Sequence, residues 1–159
     1  MNTLDVLKYG HQTVLQTLDG LPESEWGTGG VCGVWSVKDV VAHLASYEEV
    51  LVEILTSLSS GGPTPLLDQF NDRGRDFNAI QIPLRQGKTP AEVLAGYSHA
   101  HDRVMELTSK IPADTPRRPG TIPWYGMEYA LDDFIVYANY GHKREHASQI
   151  AVYRDHIQK

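Results

Sequence analysis

Two histidines four residues apart, His142 and His146, stand near the end of a chain of 159 residues. At helical spacing their imidazoles lie one above the other on a single face, where both can bind one metal ion. Leu131, Ile135, Ala138, His142, His146, Ile150 and Tyr153 follow the same spacing, so the pair falls in the middle of an apolar stripe. A buried imidazole needs partners for both ring nitrogens. Two at one level ask for a shared partner, and a metal is the simplest one; an unmetallated histidine cluster is the rival reading. His43, at the edge of the stripe of another helix, is the best-placed third ligand. Three neutral imidazoles leave a divalent ion its full double charge and an open position for water, which lowers that water's pKa and lets the ion polarise a substrate oxygen or bind a thiolate. Such ligands suit zinc, nickel, copper or iron(II), whereas magnesium and calcium want carboxylate oxygens.

The remaining chemistry-bearing residues are weaker candidates. His142-Lys143-Arg144-Glu145-His146 fits the inverted zinc-peptidase pattern H-x-x-E-H. That reading also wants an acidic ligand well downstream, and the thirteen residues after His146 include no glutamate, so the match reads as accidental. Glu145 still lies beside the stripe, as a base or a partner to a ligand, with a solvated helix glutamate as the equal alternative. His11 reads as a core histidine bonded to a neighbouring hydroxyl or carbonyl, His101 as structural with a fourth-ligand role the lesser option, and His99 and His156 as solvated. Cys32 reads as an ordinary loop thiol. Trp35, Trp124, Tyr125 and Tyr129 read first as packing residues and second as a pocket mouth. No nucleophile elbow, glycine-rich phosphate loop or paired-cysteine zinc site is present.

These residues require helices to position them. A first helix is predicted over Leu4–Leu18, capped by Thr3, with Leu4, Leu7, His11, Val14, Leu15 and Leu18 inward. After a glycine-rich connection, Ser36 and Asp39 form a capping box with Trp35 at the staple position, opening a helix over Val37–Leu58. Its buried side carries Val40, Val41, Leu44, Tyr47, Leu51, Ile54 and Leu55, and Lys38, Glu49 and Glu53 fall on the wet side. Residues 59–88 lack strong periodicity and read as a lid or a crossover with a short helix of its own, anchored by Leu66, Leu67, Phe70 and Phe77. Thr89-Pro90-Ala91-Glu92 opens a third long helix with Val93, Tyr97, Ala100, Val104, Leu107 and Ile111 inward. A proline-rich connection leads to the fourth, which starts near Leu131 with Asp132 and Asp133 in its first turn. No two-residue alternation appears, so the expectation is all-α: one four-helix bundle domain over residues 1–159 with a long crossover between its second and third helices.

Composition excludes several classes. A formal charge of −6 argues against a partner with a phosphate backbone, so no nucleic acid is expected. No apolar run approaches the ~20 residues of a membrane span, and the N-terminal residues lack a signal-peptide pattern. One cysteine excludes an intrachain disulfide and is consistent with a cytoplasmic location.

Trp35-Ser36-Val37-Lys38-Asp39-Val40-Val41-Ala42-His43-Leu44, followed by Tyr47-Glu48, resembles the second-helix signature of the DinB/YfiT-like metalloenzymes, and His142-x-x-x-His146-x-x-Gln149-Ile150 resembles their fourth-helix signature. The resemblance spans essentially the whole chain. Asp68-Gln69-Phe70-Asn71, Thr89-Pro90-Ala91-Glu92-Val93-Leu94 and Tyr140-Gly141-His142-Lys143-Arg144-Glu145-His146 look most like the ClbS/DfsB branch. The resemblance implies an up-down-down-up bundle, often a homodimer, with a metal on His43, His142 and His146. It implies activities ranging from transfer or isomerisation with a low-molecular-weight thiol to hydrolytic opening of a cyclopropane in self-resistance. The expectation is a metal-dependent hydrolase or thiol transferase acting on a small electrophile. The alternative is a non-catalytic protein that sequesters a small molecule in the same bundle pocket.

Overall fold

In a computed structural model describing residues 1–159, six helices account for nearly all regular structure. They are α1 (Thr3–Leu18), α2 (Val37–Ser59), α3 (Pro65–Arg73), α4 (Asp76–Gln81), α5 (Pro90–Lys110) and α6, which covers residues 131–157. The last is continuous but changes its winding: Leu131–Phe134 and His142–Ile157 are α-helical, and Ile135–Gly141 between them is π-helical. No helix is long and apolar enough to cross a membrane.

Local chemistry sets the ends. Asn2, not Thr3, caps α1, its Oδ1 accepting from Asp5 N at 3.2 Å. Thr3 is instead the first helical residue, and its hydroxyl donates to Asp132 Oδ1 at 2.7 Å, tying the starts of α1 and α6 together. The Ser36–Asp39 box forms as the spacing predicts, with Asp39 N on Ser36 Oγ and Ser36 N on Asp39 Oδ2. Thr89 caps α5 with Pro90 in its first turn.

Two apolar clusters reveal the helix directions. One joins Val14 and Leu18 of α1, Val37 to Ala45 of α2, Val93 and Tyr97 of α5, and Ala147 and Ile150 of α6. The other joins Leu7, the later residues Val50 to Leu55 of α2, Val104 to Ile111 from α5 onward, and Leu131 to Ile135. The starts of α2 and α5 thus share one end of the bundle with the ends of α1 and α6. The long helices run up, down, down, up, and the parallel α2–α5 pair makes the crossover obligatory.

That crossover holds the two short helices α3 and α4, and it changes the environment of α2. Lys38, Glu49 and Glu53 are half-buried rather than wet, because each ties the crossover down. Lys38 Nζ donates to the Gln86 and Lys88 carbonyls at 2.9 and 2.8 Å, and Glu49 pairs with Arg85 at 2.8 Å. Thr64 makes no side-chain cap for α3, and Glu53 takes over, its two oxygens accepting from Leu66 N and Leu67 N. A carboxylate there also meets the favourable end of the helix dipole.

Between the two apolar clusters lies a polar layer that the stripe analysis does not foresee. Glu48 is 0% exposed and Lys143 is 1% exposed. Lys143 Nζ lies 2.5 Å from Glu48 Oε1, which also accepts from Asn139 Nδ2 at 2.6 Å. His101 Nδ1 stands 3.7 Å from the other oxygen, Glu48 Oε2. His11 stacks on the His101 ring, with centroids 3.8 Å apart and planes within 6°. His11 is therefore buried as expected, but its partner is a second imidazole rather than a hydroxyl or carbonyl, and His11 Nδ1 makes no hydrogen bond. Gly10, buried in α1, permits the approach of α6: a Cβ there would lie 3.2 Å from Tyr140 Cδ2 and 3.4 Å from Lys143 Cδ.

Burial by itself would raise the Glu48 pKa, but the Lys143 charge, aided by His101, outweighs it and brings the carboxyl down to about 2. Removing one member of such a pair strands the other charge. Glu48→Gln is expected to lower unfolding free energy by roughly 3–5 kcal/mol in urea titrations, and pairing it with Lys143→Met is expected to recover much of that loss. Additive effects in the double variant would disprove the coupling.

Candidate metal centre

Each histidine of the site reaches it from a different constraint. His43 lies two turns into α2, past the Ser36 cap, on the flank it shares with Tyr47. His142 opens the α-helical remainder of α6, directly after the π-helical stretch, and His146 follows one turn later. A π-helical turn accommodates an extra residue and rotates everything after it. The inward side of α6 then carries two adjacent rows: Asn139, Lys143, Ala147 and Ile150 are buried beside His142 and His146.

The three rings converge through one kind of nitrogen. His142 Nε2 lies 2.7 Å from His43 Nε2 and 3.0 Å from His146 Nε2. Their ligand atoms all lie within 4.8 Å of one another, forming a group that can hold a metal ion. The far nitrogens are fixed by amides. His43 Nδ1 is 2.8 Å from Asn78 Oδ1, and His146 Nδ1 is 2.8 Å from Gln149 Oε1.

These two contacts determine the protons. A carbonyl oxygen only accepts, so both Nδ1 atoms donate, and the Nε2 atoms of His43 and His146 present lone pairs inward. His142 Nε2 can donate to one of them at most. At least one of the two short Nε2 contacts therefore has no hydrogen between its nitrogens, and both set lone pair against lone pair when His142 Nε2 is unprotonated, a conflict that a cation at the focus resolves. Distances of 2.7 and 3.0 Å are both short enough for two bonds of about 2.0–2.1 Å to a shared ion. The donor set fits a divalent transition metal, with the tautomers already prepared.

Electrostatics favours the same state. Burial, then the neighbouring His146, lowers the His43 pKa to about 4, against a smaller upward pull from Asn78. Burial, His43 and His146 lower that of His142 to about 3. Burial also lowers His146, opposed by Gln149 and by the Glu145 charge. All three imidazoles are neutral at neutral pH, the form that ligates metal.

Aromatic rings close the sides. Tyr47 packs against His43 and His142 with centroids 4.6 and 4.7 Å away. Trp35 lies 5.0 Å from the His43 ring and 6.4 Å from His146. From Tyr47 a run of edge contacts passes through Phe70 to Trp124, Phe134 and Tyr125, and a tilted contact carries it on to Tyr129. Trp124 and Tyr125 thus serve packing in the connection before α6, and Trp35 alone of the four candidate aromatics touches the triad.

A family model of the DinB superfamily matches residues 7–150. The chain belongs to the DinB superfamily. Neither the curated proteins nor the solved structures yielded a match. In this DinB chain the triad's hydrogen-bond partners are Asn78 and Gln149, while Glu145 is exposed and makes no side-chain hydrogen bond. His101 faces Glu48 rather than the triad, His99 and His156 are exposed, and Cys32 is a half-buried free thiol.

Sequence reasoning missed Asn78, Glu48, Asn139 and Lys143 as working groups. Gln149 carried a signal, since three residues after His146 it shares that helix face. Asn78 carried none, lying in a crossover without periodicity.

The pKa shifts predict acid sensitivity. His11, with burial as its first cause and His101 as its second, falls to about 3 in the fold. Unfolded histidines titrate near about 6.5, so below that pH the unfolded chain binds more protons than the folded one. Stability is complete above about pH 6.5 and erodes as pH falls through the lowered values, with Glu48 adding the same sign below about pH 4.5. Melting temperatures of chelated protein should fall steadily from pH 7 to pH 4, and a flat profile would contradict the neutral-imidazole assignment.

Proposed function

We propose that this DinB protein is a metal-dependent enzyme in which His43, His142 and His146 hold a divalent transition ion such as zinc, nickel or iron(II). The observation that carries the reading is the convergence of three Nε2 atoms, two of them committed as lone pairs by Asn78 and Gln149. When bound, an ion with three neutral ligands supplies Lewis-acid activation of water or a thiol. The substrate is a small electrophilic molecule, and the reaction is hydrolysis or transfer to a low-molecular-weight thiol, in detoxification or self-resistance. The resemblance of Asp68-Gln69-Phe70-Asn71 and Tyr140-Gly141-His142 to the ClbS/DfsB branch supports that reaction class.

The protein's own groups divide the work. Asn78 and Gln149 orient two imidazoles and keep their protons on Nδ1. Tyr47 and Trp35 shield the ring edges from water. Glu145, whose charge reaches His146 from the exposed side of α6, is assigned to proton exchange at the rim. The working form is a homodimer, a proposal carried by the family resemblance, and the single cysteine supports placing it in the cytoplasm.

Protein purified without a histidine tag under metal-replete conditions should hold one ion per chain. His146→Ala should lose it, and Asn78→Ala should weaken binding by about 10- to 100-fold. A metal-free wild type would sink the mechanism. Product formed from a panel of small epoxides and activated alkenes, with and without thiol, should vanish on chelation. Retention of such compounds without turnover, indifferent to chelator, would instead establish a sequestering protein.

A further inference from the structure

A cleft of about 470 Å³ opens beside the triad, lined among others by Trp35, Arg75, Asn78, Ile82, Pro83 and Gln86. Its size is that of a small-ligand site. Its inner wall is the triad's own support: Asn78 accepts from His43 Nδ1, and Trp35 packs on the His43 ring. Trp35 is set there by a tight turn, Cys32 to Trp35, in which Gly33 takes a φ of +58° and Trp35 N donates to Cys32 O at 2.9 Å. The crossover lines most of the cleft, through Arg75, α4 with Asn78 and Ala79, and the turn after it.

The charges around the cleft are unequal in commitment. Asp39 is engaged with Ser36 and with Gln86, whose Nε2 donates to it at 2.8 Å. Lys38 is held by two carbonyls, and Arg85 by Glu49 and Gln81. Arg75, exposed in the cleft wall, makes no hydrogen bond or ion pair with the protein. It is the only cation lining the cleft. In a chain of formal charge −6, an uncommitted guanidinium in the same cleft as Asn78, the His43 partner, is a local exception to a field that repels anions.

We infer that this cleft is the substrate subsite for a small organic anion, with Arg75 taking the carboxylate or sulfonate and Trp35, Ile82 and Pro83 taking an apolar body. The guanidinium fork suits planar oxyanions, and indole and proline faces suit a flat hydrocarbon. The inference rests on the metal-centre reading for its claim that the ligand is a substrate. It narrows the electrophile to one that carries an anionic handle on the side away from the reacting atoms.

The test uses 2-naphthoate and its uncharged amide, 2-naphthamide, titrated into the full chain by NMR, with metal content measured on the same samples. Naphthoate is expected to shift the amides of Arg75, Ala79 and Gln86 and to bind about threefold to fivefold tighter than the amide, the range of one exposed ion pair. Arg75→Met should erase that preference and Arg75→Lys should keep part of it. Because the exposed Arg75 side chain makes no hydrogen bond or ion pair, melting temperatures should be unchanged. Equal binding of the two probes, shifts away from the cleft, or a preference that survives Arg75→Met would each overturn the subsite. Absence of metal in the wild type would overturn the metal-centre reading while leaving the Arg75 preference to stand or fall by itself.

Discussion

Glu48 and Lys143 meet at the centre of the bundle with essentially no exposure, and their contact at 2.5 Å is the constraint that the other parts accommodate. Neither charge can be left without the other in that environment. Lys143 lies between His142 and His146, just past the π-helical stretch of α6, so holding it against α2 also determines where the two histidines face. Gly10 clears space on α1 for the same side chain, and Asn139 completes the coordination of the Glu48 oxygen. The polar layer separates two apolar clusters.

This arrangement places opposite demands on neighbouring imidazoles. His101 faces the Glu48 carboxylate and supports His11 by stacking. His142, one residue before Lys143, is held neutral by burial and by the rings beside it. A cationic lysine and a neutral metal-ready imidazole coexist at adjacent positions because their side chains leave the helix in different directions. The amides of Asn78 and Gln149 then determine which nitrogen of each outer ring faces the shared focus.

The crossover is part of the site rather than a tether. Lys38, Glu49 and Glu53, from the side of α2 that periodicity assigns to solvent, each bind it. Those contacts carry α4 to His43, where Asn78 acts and where the cleft forms. Length without periodicity marks these residues as a segment of interest, but it does not say which of them reaches the histidine triad.

Read as sequence, the chain yields the all-α class, the four long helices, the Ser36 cap and the pairing of His142 with His146, because these depend on spacing along one helix. The convergence with His43 follows from apolar stripes that must face one core. The burial of Glu48, Lys143 and Asn139, the stacking of His11 on His101 and the reach of Asn78 were decided only in the tertiary structure. Polarity assigns such residues to solvent by default, and only a partner from a distant helix makes their burial tolerable. Helical spacing reports which residues share a face, whereas charge pairing across the core determines what that face encloses.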